Sequence, residues 1–483
     1  MNPRKYLVFA VCAAVLSLSA CSGLHNGCTT NCGGNGDALL SVSISDTPPT
    51  NTTILSFTLP ITGIKLTSST GTDVPVFSST ANFELTRLQS DSDIVVTNAS
   101  VPAGNYTSLT VAFGSPKGVF INSSSSTVGT CVAGAVCPIS GTFTNITVPV
   151  NITLNSDANQ WLDLDFNYNN AIDTSAGIGI NLQLANVLAV NTTSPAGIPA
   201  GDFANVDDFT GRVLATPTIA GGITVSSTVR GNLTAEINSS TQVFDPQGLC
   251  GATVNLSCIG AGSIVSVQGV LTNTGTVIAT SLDVIDSSTT PADEVEGTIY
   301  PSNCNGGANF GMILSDSSIS TNGSPLATSP FGTGVCLTVS PSANFVVDTG
   351  ILFGQPGVPT TNTGFSTTND LLAGQTVRAK VTSAASGTNG VNATASLMIL
   401  RFSRLTGSFG AISGNGFTIS GLPTYITAFA TSPVTQTFTN ATIFEGATGV
   451  GNLSGTVSIS ALFYNPVGGP QSGPLLAAKV RQH

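Results

Sequence analysis

The sequence predicts an all-β protein: an antiparallel β-sandwich followed by tandem small β-barrel or sandwich repeats. Apolar and hydroxyl-bearing residues alternate in short runs, and clusters of Gly, Pro, Asn and Asp punctuate them. Between residues 37 and 190 no segment keeps helical periodicity over three turns. Charged residues make up only 8% of the chain, while the β-branched and apolar fraction stays high enough to build several cores.

Residues 1–20 read as an export signal. Arg4 and Lys5 precede an apolar run from Tyr6 to Leu18 that is too short to span a bilayer. Leu18-Ser19-Ala20-Cys21 matches the bacterial lipobox, which makes Cys21 the expected lipidation site and the membrane an expected partner through that anchor. Ser22 resembles residues that permit sorting to the outer membrane. Residues 21–36 are small and polar and read as a tether.

Processing would remove Arg4 and Lys5, taking the formal charge from −11 to about −13. That sign opposes nucleic acid and anionic lipid surfaces, so no nucleic-acid partner is expected, whereas an extracellular or envelope partner stays unnamed. Cys28 with Cys32, Cys131 with Cys137, Cys250 with Cys258, and Cys304 with Cys336 are the disulfide candidates of an oxidising compartment. The first three would close short loops, each contributing less than the roughly 3 kcal/mol of a fifteen-residue loop. His25, Cys28 and Cys32 could start a zinc site, but a fourth ligand is missing.

Residues 37–190 form the expected sandwich. Leu40, Val42 and Ile44 alternate with Ser41, Ser43 and Ser45 before the Asp46-Thr47-Pro48-Pro49 turn. Strands are then expected over residues 54–59, 61–66, 83–88, 94–97, 106–113, 141–150, 160–168 and 178–190. Residues 191–206 read as a linker around Ser194-Pro195-Ala196-Gly197. Three units follow, at 207–286, 293–401 and 403–483. Each opens on a glycine between apolar residues (Gly211, Gly297, Gly407), continues with a Phe-bearing run (Val243-Phe244, Phe345-Val346, Ile443-Phe444), and closes on an alanine-led strand at Ala279, Ala395 or Ala477. The glycine spacing is irregular, so a divergent tandem repeat and chance recurrence both fit.

Ser41 to Pro49, Phe83 to Gln89, Val101-Pro102-Ala103-Gly104-Asn105-Tyr106 and Leu162-Asp163-Leu164-Asp165-Phe166 resemble, in order and behind a lipobox, the bacterial lipoprotein domain catalogued as domain of unknown function 4382. The later units are similar to the small β-repeats catalogued as domain of unknown function 5666, with inserts such as Ile351 to Asp370 breaking their spacing. Neither resemblance supplies a catalytic residue.

A hydrolase triad needs a histidine, and only His25 and His483 exist, one in the tether and one at the chain end. Asp163 and Asp165 share a strand face and are the weak candidates for calcium or paired acids; the calcium-loop pattern fails at Tyr168 and Thr174, so a solvated polar face is expected. Asp207, Asp208, Asp293, Glu294 and Glu296 open the first two units, where solvated junction charge is expected and bridging calcium is the alternative. Trp161 reads as core or a surface patch. The expectation is a non-enzymatic, lipid-anchored envelope protein that binds or scaffolds, without a cofactor. Its rival is an exported carbohydrate-active or metal-dependent enzyme using Asp163 and Asp165.

Overall fold

A computed structural model describes residues 36–483 apart from 49, 51–52, 143, 174–177, 182–185, 289–292, 301–308, 359–360, 363, 388–389, 424, 427–433 and 464–474. Cys21, His25, Cys28, Cys32 and Cys304 therefore lie outside the described residues. The chain is all-β, and its one α-helix among the described residues is a single turn, Tyr168–Ala171.

The first unit is a sandwich of a four-stranded and a nine-stranded sheet. Its small sheet runs Leu188–Asn191, Asn159–Phe166, Asp37–Asp46, Asp93–Pro102. Leu40, Val42 and Ile44 turn inward with Leu162, Leu164 and Phe166, meeting Phe57, Leu59 and Leu109 of the large sheet in one core. Most pairs are antiparallel, as expected; Asp37–Asp46 with Asn159–Phe166, and Gly179–Asn181 with Val136–Thr142, are parallel. Some 120 residues separate Ser43 from Asp163, ample for a crossover.

The runs 54–59 and 61–66 are one strand, Ile54–Ser68, despite Pro60. On one side that strand pairs with Lys117–Ile121 only up to Thr58 and with Gly104–Phe113 only from Ile61. Pro60 thus sits where the ladder changes partner, and its missing N–H breaks no bond. The stretch 178–190 is likewise split into Gly179–Asn181 and Leu188–Asn191.

Three further sheets follow. The linker ends earlier than its composition implies, since Asp202–Val213 is continuous strand paired with Ile264–Thr272. In each later sheet the glycine-bearing first strand (Asp202–Val213, Asp293–Tyr300, Ser403–Ser413) pairs antiparallel with the next strand and with the penultimate one. The penultimate strand pairs with the last, and the Phe-bearing segment lies parallel to the last. The outer two sheets have six strands, and the middle unit closes into a five-stranded barrel. The connectivity of the middle unit is that of a five-stranded Greek-key barrel.

Gly211, Gly297 and Gly407 occupy matching places. A Cβ on them would stand 2.7, 2.1 and 2.5 Å from the backbone of Ser226, Ile313 and Ser420 on the adjoining strand. Only a residue without a side chain permits so close an approach.

Candidate functional site

The polar faces of these sheets do not meet water; they meet each other. Immediately before each of those glycines stands a polar residue whose cross-strand neighbour is also polar: Thr210 opposite Ser266, Glu296 opposite Arg378, Thr406 opposite Ser458. All six are buried. The pairs are joined by hydrogen bonds of 3.0, 3.5 and 2.6 Å. Each unit therefore turns one polar stripe of its first and penultimate strands toward a common interior.

Into that interior the sandwich inserts a short polar segment, Arg87 to Asp93, which leaves the 3-10 turn Leu85–Arg87 and enters the strand Asp93–Pro102. Arg87 donates from Nε to Asp207 Oδ2 at 2.9 Å, from Nη1 to Glu296 Oε1 at 2.6 Å, and from Nη2 to the Asp208 carbonyl at 2.9 Å. Gln89 Oε1 accepts from Thr406 at 2.9 Å. Ser92 exchanges backbone hydrogen bonds with Asn205 and Asp207 at 3.0 and 2.8 Å. Asp91 pairs with Lys479, and its carbonyl accepts from Arg481 Nη1 at 2.6 Å. One segment of the first domain thereby holds all three later units.

The surrounding cations complete the network. Arg378 Nε donates to Glu294 at 2.6 Å, Arg401 Nη2 to Asp208 at 2.9 Å, and Arg404 Nη2 to Asp207 at 2.6 Å. Arg230 bridges Asp207 and Asp93 at 3.0 and 3.1 Å, and Arg481 holds Glu445 at 2.5 Å. Arginine suits these positions because its planar fork serves several acceptors at once.

Burial and charge compete at every carboxyl. Desolvation pushes Asp208 and Glu296 up, but the guanidiniums outweigh it: Arg404, Arg87 and Arg401 hold Asp208 well below the usual range, and Arg87, Arg401 and Arg378 bring Glu296 to about 2. At Asp207 burial wins over Arg87, Arg404 and Arg230, and its pKa rises to about 6. Burial also wins at Asp283, against Arg401 and with Asp208 adding to the rise, which takes it to about 7.

The expectation of solvated junction charge at Asp207, Asp208, Asp293, Glu294 and Glu296 is overturned, since none is more than 7% exposed. The docked units exclude water; guanidiniums replace it at Asp207, Asp208, Glu294 and Glu296, and Ser320 and Thr321 do so at Asp293. Asp163 is corrected in the same way: it is 4% exposed and accepts from Ser43 Oγ at 2.7 Å and Ser45 Oγ at 2.6 Å. Its sheet face is covered by the second unit, and Trp161 beside it stacks on Phe203 with ring centroids 5.7 Å apart. Asp165 is partly buried, with both oxygens 2.9 Å from Thr47 Oγ1. Among the described residues no group of three or more His, Cys, Asp or Glu is arranged to hold a metal ion.

Residues 37–183 match the family described as Domain of unknown function (DUF4382). The match ends within the sandwich and contains the whole Arg87 to Asp93 segment. No curated protein matches the chain.

A cleft of about 430 Å³ lies where the sandwich, the 193–196 stretch and the last unit meet, with Asp165, Arg481 and His483 in its lining. His483 Nε2 shares a 2.7 Å hydrogen bond with Ser458, and Nδ1 stands 3.5 Å from Thr47 Oγ1. Burial, with Arg481 nearby, lowers the imidazole to about 3 and keeps it neutral. Ser458 is fully buried and also bonded to Thr406, so this serine and histidine brace the interface rather than offer a nucleophile.

The disulfides Cys131–Cys137 and Cys250–Cys258 are formed, with Cα atoms 5.9 and 5.3 Å apart. Cys336 is also disulfide-bonded. The arginine network was missed by sequence reasoning. Its one signal is position: Asp208, Glu294 and Arg404 each stand three residues before a marker glycine.

Proposed function

We propose that the protein is a lipid-anchored cell-envelope scaffold, tethered through Cys21 in the outer membrane or at the cell surface, that presents a multi-unit β-body to an extracellular or envelope partner without catalysing a reaction. The observation that carries this reading is the Arg87 to Asp93 segment, which ties the three later units to the sandwich by buried hydrogen bonds. A body braced at its centre suits a display or spacing role, because its outer surfaces keep fixed positions relative to the tether. The lipobox and the disulfides support an exported location. The similarity of units 207–286, 293–401 and 403–483 to repeats of domain of unknown function 5666 is part of the same proposal.

The enzyme alternative has less support, because both oxygens of Asp163 are occupied by serine hydroxyls. The deciding experiment is palmitate-analogue labelling of the wild type and Cys21→Ala, with protease accessibility on intact cells. Label in the wild type alone is expected; label kept in the variant overturns the anchor. Scattering from the soluble domain should fit one rigid particle, and a flexible string of units overturns the scaffold.

A further inference from the structure

The interior network does not balance. Arg87, Arg230, Arg378, Arg401 and Arg404 face Asp93, Asp207, Asp208, Glu294, Glu296, Asp316 and Asp348, and Asp283 adds an eighth carboxyl to five guanidiniums. The nearby Lys479 lowers Asp283 but is already paired with Asp91, so it does not restore the balance. At least two carboxyls are thus left without a compensating cation in a region shielded from water. A dry interior does not tolerate bare negative charge, so protons take the place of the missing cations.

Two of the acids stand at junctions between units. Asp283, in the strand Val277–Asp286, is fully buried, and neither of its carboxyl oxygens has a hydrogen-bond partner. It faces Arg401 and Gly350 of the barrel unit, Lys479 of the last unit, and Asp208 of its own. Asp207, also fully buried, faces Arg87 of the sandwich, Arg404 of the last unit, and Arg230 and Asp208 of its own. Ionising either acid adds charge at a surface where separate units press together.

We propose that protons on the surplus carboxyls close this network, so that the units dock tightly in acidic medium and loosen as the medium becomes alkaline. This rests on the scaffold reading and supplies its regulation: rigidity is conditional on pH. Both groups titrate upward of their ordinary values, so their contribution to docking is whole below about pH 4 and is lost as pH rises through 6 and 7. Between about pH 4 and those values each pH unit disfavours the closed arrangement by up to about tenfold per carboxyl, and above them the effect is level.

Trp161 is the only tryptophan, and it stacks across the junction of sandwich and second unit on Phe203, which makes it the reporter. Acrylamide quenching of Trp161 in the full soluble domain is measured from pH 5 to 9, with small-angle scattering on the same samples. The expected result is a quenching constant that rises severalfold between pH 5 and 7 and is level above, together with a larger radius of gyration. Asp283→Asn and Asp207→Asn keep the shape of the protonated acid, and each flattens the rise. A quenching constant and radius that stay level across the range, or a rise left unaltered in whichever variants fold, overturns the proposal. A flexible particle already at pH 5 sinks the scaffold reading instead.

Discussion

Arg87 Nη1 donates to Glu296 Oε1 at 2.6 Å across 209 positions of sequence, and neither side chain is more than 3% exposed. The first domain and the barrel unit thus share a charge pair that no solvent screens. Its value lies less in attraction than in the cost of breaking it, since removing one partner leaves the other charged and dry.

Replacing Arg87 by Met should therefore destabilise the protein by about 3–5 kcal/mol, because Asp207 and Glu296 both lose a donor. Urea unfolding followed by circular dichroism measures it. A loss below about 1 kcal/mol would mean that water reaches the site.

Stability should peak in mildly acidic solution. Asp207 and Asp283 are raised to about 6 and about 7, so their contribution fades as pH climbs through those values. Asp208 and Glu296 are lowered, so theirs exists above about pH 4.5 and is lost on acidification. Melting temperatures recorded from pH 3 to 9 should form a curve with its top near pH 4, falling by on the order of 5 °C by pH 7 and level beyond. A dome centred above pH 8 contradicts the assignment.

Gly211→Ala, Gly297→Ala and Gly407→Ala should each cost about 1–3 kcal/mol, because the new methyl meets backbone that cannot withdraw. Gly451→Ala is the control, since nothing lies within 4 Å of its Cβ position. Thermal melts compare the four, and equal effects would remove the close-approach explanation.

Cys131→Ser with Cys137→Ser should cost only about 2 kcal/mol, as expected for closing so small a loop, and should leave the far-ultraviolet spectrum unchanged. Loss of the β signal would show that the bridge builds the sandwich rather than pinning a loop.

Strand positions were legible in the sequence wherever one face is apolar. Leu40, Val42 and Ile44, or Val457, Ile459 and Ala461, announce their burial by alternation alone. The opposite faces were not legible. Ser43, Asp163, Thr210 and Ser458 have the composition of a wetted surface, and only docking of whole sheets buries them. Asp163 and Asp165 drew attention as a pair of acids, yet their partners Ser43, Ser45 and Thr47 lie over a hundred residues away. A periodicity argument reads one sheet at a time, and this centre is made by four.

The contact of Lys479 with Asp91 joins points 388 residues apart, and Arg481 reaches the Asp91 carbonyl across 390. Loop closure on that scale is slow. Asp91 has neither Lys479 nor Arg481 beside it until the final strand arrives. The sandwich can form early, but that end of its polar segment stays uncovered until the chain is complete. A chain truncated before Lys479 should then be open to proteases at that one loop, which makes closure of the centre the mark of a finished molecule.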